Sequence, residues 1–93
     1  MYQDLKKIVE IKPKQNYQRY VFGSAVYSDT PADIDIAIVY DEKHIGVKDA
    51  VEYKREFKKQ LSTIFSLDID IILLSQKEEE EMNFLSNAKH VQV

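Results

Sequence analysis

Two short segments of this 93-residue chain, Asp33–Ile36 and Asp68–Ile71, both read Asp-Ile-Asp-Ile. Alternation with a period of two predicts β-strands, with both aspartates of a segment on one face and both isoleucines on the other. Aspartate is rare in strands, and an ionised carboxylate is costly to bury unless it is paired or binds a metal. If the two strands are neighbours, three or four carboxylates converge on one face of one sheet. The pattern therefore predicts a sheet with one apolar face and an acidic patch on the other.

The hydrophobic pattern of the whole chain predicts three helices and three strands. In chain order these are a helix over 2–11, a strand over 17–22, a strand over 33–40, a helix over 47–65, a strand over 67–74 and a helix over 79–88. A loop or a short helix connects the first two strands, and Ser75–Glu78 matches a capping box, with Ser75 as the N-cap, ahead of the last helix. Val91 and Val93 are spaced for a short fourth edge strand. We therefore predict an α/β (α+β) fold, with a small mixed three-stranded sheet and helices packed on one face. A chain of this length buries one two-layer core, so residues 1–93 are predicted to form a single domain.

The composition excludes several classes of function. The chain has no Cys, which excludes a disulfide scaffold, a thiolate zinc site and a thiol nucleophile. It has neither a long apolar run nor the apolar core of a signal peptide, so we expect a cytoplasmic protein that does not enter membranes. Its 13 Lys and Arg against 16 Asp and Glu disfavour nucleic acid as a partner, since phosphate contacts need a basic surface. A small molecule or a protein is the expected partner.

A turn-rich segment follows the first strand and begins with Phe22–Ser24. Glycine lets the backbone approach an anion closely and serine adds a hydroxyl, so Gly23 and Ser24 are candidates for phosphate binding. Oxygen ligands without His or Cys suit Mg²⁺ or Mn²⁺. A turn that binds phosphate beside carboxylates that bind metal is the combination that nucleotidyl transfer needs. The simpler alternatives are an ordinary turn and charges that protect an edge strand.

Three motifs in order, Phe22–Ser24, Asp33–Ile36 and Ile69–Ile71, resemble the signature of the DNA polymerase β-like nucleotidyltransferases. The small size resembles the minimal nucleotidyltransferases, which are often encoded beside a HEPN-domain partner in prokaryotes. The resemblance implies a Mg²⁺-dependent enzyme that transfers a nucleoside monophosphate, AMP from ATP, to a hydroxyl of a partner protein. It also implies a role as the antitoxin that modifies a HEPN toxin on a tyrosine. Association with a second copy of the chain is compatible with this reading.

The same resemblance implies a role for each residue of the motifs. Asp33 and Asp35 would bind both metal ions, and Asp70 would be the third catalytic acid and the third metal ligand. Gly23 and Ser24 would hold the triphosphate of the nucleotide.

Two features of the sequence leave alternatives open. Leu67–Ile69 also reads hydrophobic-acid-hydrophobic, so Asp68 rivals Asp70 as the third acid. The spacer Ala25–Ala32 is short, lacks the Arg and Gly that commonly follow the Gly-Ser pair in this family, and ends in Ala where Ser is common. The alternative function is therefore a catalytically weak or inactive protein that neutralises its partner by contact. A modifier of small molecules is a third candidate, although it would need dimerisation to supply an acceptor site.

The remaining polar and aromatic residues receive simpler assignments. We assign Lys14 and Arg19 to the solvated surface, with phosphate contact as the alternative. The six tyrosines are assigned mainly to packing, with base contact as the alternative for Tyr27. The apolar residues of the helix over 47–65, among them Val47, Val51 and Ile64, are predicted to face the core. Its basic residues are assigned to its solvated face, with a partner-binding strip as the alternative.

Overall fold

The computed structural model describes all residues from 1 to 93 and contains a four-stranded mixed sheet. Its strands are β1 (Tyr17–Phe22), β2 (Asp33–Tyr40), β3 (Asp68–Ser75) and β4 (His90–Gln92). Its helices are α1 (Lys6–Val9), which a 3₁₀ turn over Gln3–Leu5 precedes, α2 (Ser24–Tyr27), α3 (Val47–Ile64), α4 (Gln76–Met82) and α5 (Phe84–Asn87). The predicted fold class, the mixed sheet and the short fourth edge strand are confirmed. None of the helices combines the length and the hydropathy that crossing a membrane requires.

The strand order β3-β2-β1-β4 makes the two acidic strands neighbours. β2 and β3 are parallel, with Asp35 opposite Asp70, and α3 supplies the crossover that a parallel pair requires. β1 is antiparallel to both of its neighbours, with Phe22 opposite Asp35 on one side and His90 on the other. The starts of β2, β3 and β4 and the end of β1 therefore meet at one end of the sheet.

The main core lies on the face of the sheet that α1 and α3 cover. The even-numbered isoleucines of β2 point into it, as the alternation predicts. The largest side chains of this core with almost no exposed surface are Phe57, Ile8, Ile34, Ile36, Ile38, Leu61 and Val21. Each such side chain contributes about 1.5–3 kcal/mol through its removal from water. This packing fixes β2 firmly, and it holds the aspartates of β2 on the opposite face.

Helix α3 is less buried than its apolar spacing predicts. Ala50, Phe57 and Leu61 are buried, whereas Val47 and Ile64 are 66% and 40% exposed. These two residues are the first and the last of the helix, where fewer neighbours are within reach. Val51, inside the helix, is 41% exposed. The prediction that Val47, Val51 and Ile64 face the core is therefore wrong.

The predicted final helix begins directly after Ser75, as the capping box predicts, and is interrupted at Asn83. The Ser75 hydroxyl accepts from the Glu78 amide at 3.0 Å, and a Glu78 carboxylate oxygen accepts from the Ser75 amide at 3.0 Å, which completes the predicted capping box. Asn83 adopts a left-handed conformation (φ 51°, ψ 38°), which ends α4 and directs the chain into α5. The ring of Phe84 packs edge-on against Phe22, with centroids 5.0 Å apart. The predicted helices cover one face of the sheet, and α5 covers part of the other face.

Arg19 is a buried residue of β1 and not the solvated one that the sequence predicted. Its side chain is 3% exposed, because it points to the same face as the core residues of β1. Nη2 donates to the carbonyl oxygens of Ile11 and Val93, both at 2.9 Å, whereas Nη1 has no partner. The guanidinium carbon lies 5.0 Å from the centroid of the Phe57 ring. Arg19 therefore ties α1 and the end of the chain to β1, and it does not face a phosphate.

Candidate active site

Three carboxylates of the adjacent strands β2 and β3 converge at the end of the sheet where both strands start. One oxygen from each of Asp33, Asp35 and Asp70 lies within 4.8 Å of the others. Oxygens that share one Mg²⁺ at about 2.1 Å lie at most about 4.2 Å apart. Asp33 and Asp35 are half-buried and Asp70 is exposed, so small rotations of these side chains bring their oxygens within this distance, and the donor set of oxygens alone suits a hard cation.

Asp68 is the predicted rival of Asp70, and it lies outside this cluster. Its backbone is opposite Asp33 on the parallel strand, and its side chain is exposed at the first position of β3. The geometry thus groups Asp70 with the two aspartates of β2 and leaves Asp68 at the open end of the sheet. The role of Asp70 as a ligand stays a prediction.

The electrostatics of the cluster favour the binding of a cation. Burial raises the pKa of the Asp35 carboxyl above its ordinary value, and the negative charges of Asp33 and Asp70 raise it further. No Lys, Arg or His forms an ion pair with any of the three carboxylates. A divalent cation between them would remove this repulsion and restore the ordinary ionisation of Asp35.

The Gly-Ser turn packs directly against the acidic cluster. Gly23 has φ +76° and ψ −152°, a conformation that other residues rarely adopt, and a Cβ atom there would clash with Oδ2 of Asp35. The Ser24 hydroxyl donates to Oδ1 of Asp33 at 3.3 Å. The amide of Val26 donates to the Gly23 carbonyl at 3.0 Å and closes the turn into α2. The structure therefore brings together all five residues that the sequence selected.

The site is open and is not enclosed by the chain itself. The three surface cavities of the molecule have volumes of about 250–290 Å³, and none of them includes a residue of the acidic cluster. Beside the cluster, Phe22 and Phe84 form a half-buried aromatic wall on the same face as Asp35. A large molecule has free access to the carboxylates from this face.

One contact near the Gly-Ser turn has no counterpart in the sequence predictions. Tyr27 is 66% exposed, so its assignment to packing is wrong. The Lys89 ammonium lies 5.4 Å from the centroid of the Tyr27 ring, within the range of a cation–π contact. In the sequence, Lys89 is marked only by its position just before the predicted edge strand. That position predicts a contact only when the strand that pairs with this edge strand is known.

Comparison with known proteins gives three findings. The model of the family described as "Polymerase beta, Nucleotidyltransferase" matches residues 3–91. None of the curated proteins matches the chain. A crystal structure of an inferred nucleotidyltransferase from Sulfolobus solfataricus is similar at 23% sequence identity and a TM-score of 0.48, over 95% of this chain and 70% of the other. The assignment to a family therefore depends on the family model, which covers almost all of the chain.

Proposed function

Because the chain belongs to the polymerase β family of nucleotidyltransferases, we propose that it transfers AMP from ATP to a hydroxyl group of a partner protein in a reaction that depends on Mg²⁺ or Mn²⁺. The observation that carries this proposal is the cluster of Asp33, Asp35 and Asp70, with oxygens within 4.8 Å of one another, beside the Gly-Ser turn. A structural charge cluster of this kind would normally be paired with a basic residue, and this one is not.

The residues of the cluster fit a divalent metal ion. Asp33 and Asp35 would hold it from β2 and Asp70 from β3, and their unpaired negative charge is what a hard cation neutralises. When bound, the metal supplies positive charge that activates the acceptor oxygen and stabilises the departing pyrophosphate.

Residues of the chain itself act on the acceptor hydroxyl and on the triphosphate of the nucleotide. The acceptor oxygen forms a bond to the α-phosphorus while the bond from that phosphorus to the pyrophosphate oxygen breaks. Asp70 is the exposed member of the cluster, so its carboxylate would take the hydroxyl proton. Gly23 and Ser24 would hold the triphosphate through the backbone N–H groups of the turn and the Ser24 hydroxyl, and the absence of a side chain at Gly23 lets this turn pack against Asp35.

The proposed acceptor is a protein because the site is open. A face without an enclosing cavity provides no binding energy for a small acceptor, whereas a folded partner brings its own surface. We propose a tyrosine of a HEPN-type toxin as the acceptor, on the strength of the resemblance to minimal nucleotidyltransferases. The chain would then act as the antitoxin.

A contact-only role is the second candidate, and one observation favours it. No Lys or Arg occurs between Arg19 and Lys43, the stretch that contains the Gly-Ser turn and the spacer. A phosphate-binding loop without a cation binds a triphosphate weakly. In this role the chain would neutralise its partner by binding, and the aspartates would be dispensable.

Transfer of label from ATP separates the two candidates. The chain is incubated with Mg²⁺, a HEPN-domain protein encoded beside it and ATP labelled in either the α- or the γ-phosphate. We expect the partner to gain α-label and no γ-label, and the transfer to be lost in Asp33→Asn and Asp35→Asn and retained in Asp49→Asn, a control on α3. A tight complex without α-label, unaffected by the two substitutions, would instead support the contact-only role.

A further inference from the structure

The elements that build the site carry no free positive charge. No Lys or Arg occurs between Arg19 and Lys43 or between Lys59 and Lys77, and these stretches include α2, β2 and β3. Arg19 itself is buried and donates to backbone carbonyls. A nucleoside triphosphate carries about four negative charges at neutral pH, and the acidic cluster adds more. The metal ion neutralises only part of this charge, and a cation from another part of the fold would neutralise more of it.

The antiparallel pairing of β4 with β1 brings Lys89 to this place. His90 pairs with Phe22, the residue before Gly23, so Lys89, the residue before His90, lies at the same end of this strand pair. Neighbouring strands lie about 4.8 Å apart, so the backbone of Lys89 is close to the turn. On the other side of β1, Phe22 is opposite Asp35 of β2. Lys89 and the acidic cluster therefore flank the Gly-Ser turn.

The side chain of Lys89 is directed to Tyr27, in the short helix that follows the turn. Its ammonium lies 5.4 Å from the ring centroid of Tyr27, which ends the short helix that starts at Ser24. Lys89 forms no ion pair, and both it and Tyr27 are exposed. The ammonium is thus held near the turn by an aromatic ring alone, and its donors are free for an anion.

We propose that Lys89 binds the triphosphate of the nucleotide and supplies the positive charge that the segment from Gly23 to Asp33 lacks. Tyr27 is a positioning residue, whose ring holds the ammonium beside the turn. This inference rests on the proposed function, because it assigns a further residue to the same nucleotide site.

Calorimetric titration with Mg²⁺ and a non-hydrolysable ATP analogue tests the proposal. We expect Lys89→Gln to weaken binding of the analogue about 10- to 100-fold, since a charged hydrogen bond is lost, and to change binding of AMP by less than about threefold. Lys89→Arg should bind within about threefold of the unchanged chain. Lys59→Gln, an exposed control on α3, should have no effect.

Two Tyr27 variants test the positioning role with the same titration. Tyr27→Phe keeps the ring and should bind the analogue like the unchanged chain, whereas Tyr27→Leu should lose part of the affinity that Lys89→Gln loses. If Lys89→Gln and the unchanged chain bind the analogue equally, this inference is overturned and the proposed function is left intact. Absence of binding by the unchanged chain would overturn both. Because both residues are exposed, unfolding in urea should be unchanged in every variant.

Discussion

Asp35 and Asp70 lie directly opposite each other on the parallel strands β2 and β3, and their carboxylates point to the same face. The sheet therefore forces like charges together at a position where no basic side chain balances them. The apolar core on the reverse face holds both strands in this register. The arrangement is built by the fold before any ligand binds, and its cost in stability is recovered when a cation binds.

The geometry predicts which aspartate of β3 binds metal. Asp70→Asn removes one of three clustered carboxylates, so we expect it to weaken Mn²⁺ binding by at least about tenfold. Asp68→Asn is the matched control on the same strand, and it should leave the affinity within about twofold, because Asp68 is outside the cluster. The binding of Mn²⁺ is measured by electron paramagnetic resonance. The reverse order of the two effects would show that Asp68 is the ligand.

The raised pKa of Asp35 predicts a dependence of stability on pH. Because the folded state favours the protonated carboxyl, the free energy of unfolding falls as pH rises from the ordinary carboxyl pKa through the raised one. We expect Asp35→Asn to raise the Tm of the metal-free protein by a few degrees at pH 7 and to have little effect near about pH 3. Thermal unfolding in a metal chelator, followed by circular dichroism, measures this difference.

Addition of Mg²⁺ provides the control for that experiment. Mg²⁺ should raise the Tm of the unchanged protein and of Asp68→Asn, since a ligand that binds only the folded state stabilises it. It should raise the Tm of Asp35→Asn much less. An Asp35→Asn protein that is less stable than the unchanged one at pH 7 without metal would contradict the proposed repulsion.

Gly23 is predicted to be irreplaceable for two separate reasons. Alanine there would adopt an unfavourable positive φ and would place its Cβ against the Asp35 carboxylate. We expect Gly23→Ala to lower the free energy of unfolding by about 1–3 kcal/mol and to abolish Mn²⁺ binding. Gly46→Ala is the control, because no atom lies within 4 Å of a Cβ there, and it should cost less than about 1 kcal/mol. Urea unfolding measures the free energy of unfolding of both variants. An equal loss in Gly23→Ala and Gly46→Ala would show that the clash with Asp35 is relieved.

Burial of Arg19 predicts a structural and not a catalytic effect of its substitution. Arg19→Met leaves the carbonyls of Ile11 and Val93 without a donor, so we expect a loss of about 2–4 kcal/mol in urea unfolding. Arg55→Met removes only an exposed ion pair with Glu52, at 3.6 Å, and should cost less than about 0.5 kcal/mol. A stable Arg19→Met protein with weakened ATP binding would show instead that Arg19 acts on phosphate.

The sequence alone determined the elements and the chemical character of the site. Alternation in Asp33–Ile36 and Asp68–Ile71 requires strands with an acidic face, and the capping box at Ser75 marks the start of a helix. These signals are local, because they depend on spacing within one turn or one strand. The Gly-Ser turn was found in the same way, since its residue types already restrict the backbone.

Only the tertiary structure decided which distant residues meet. Asp70 joins the cluster and Asp68 does not, Arg19 enters the core, and Lys89 contacts the ring of Tyr27. Each of these outcomes depends on the register between strands that are far apart in the chain. A register is set by the packing of the whole sheet against its helices, and no short segment of sequence contains that information.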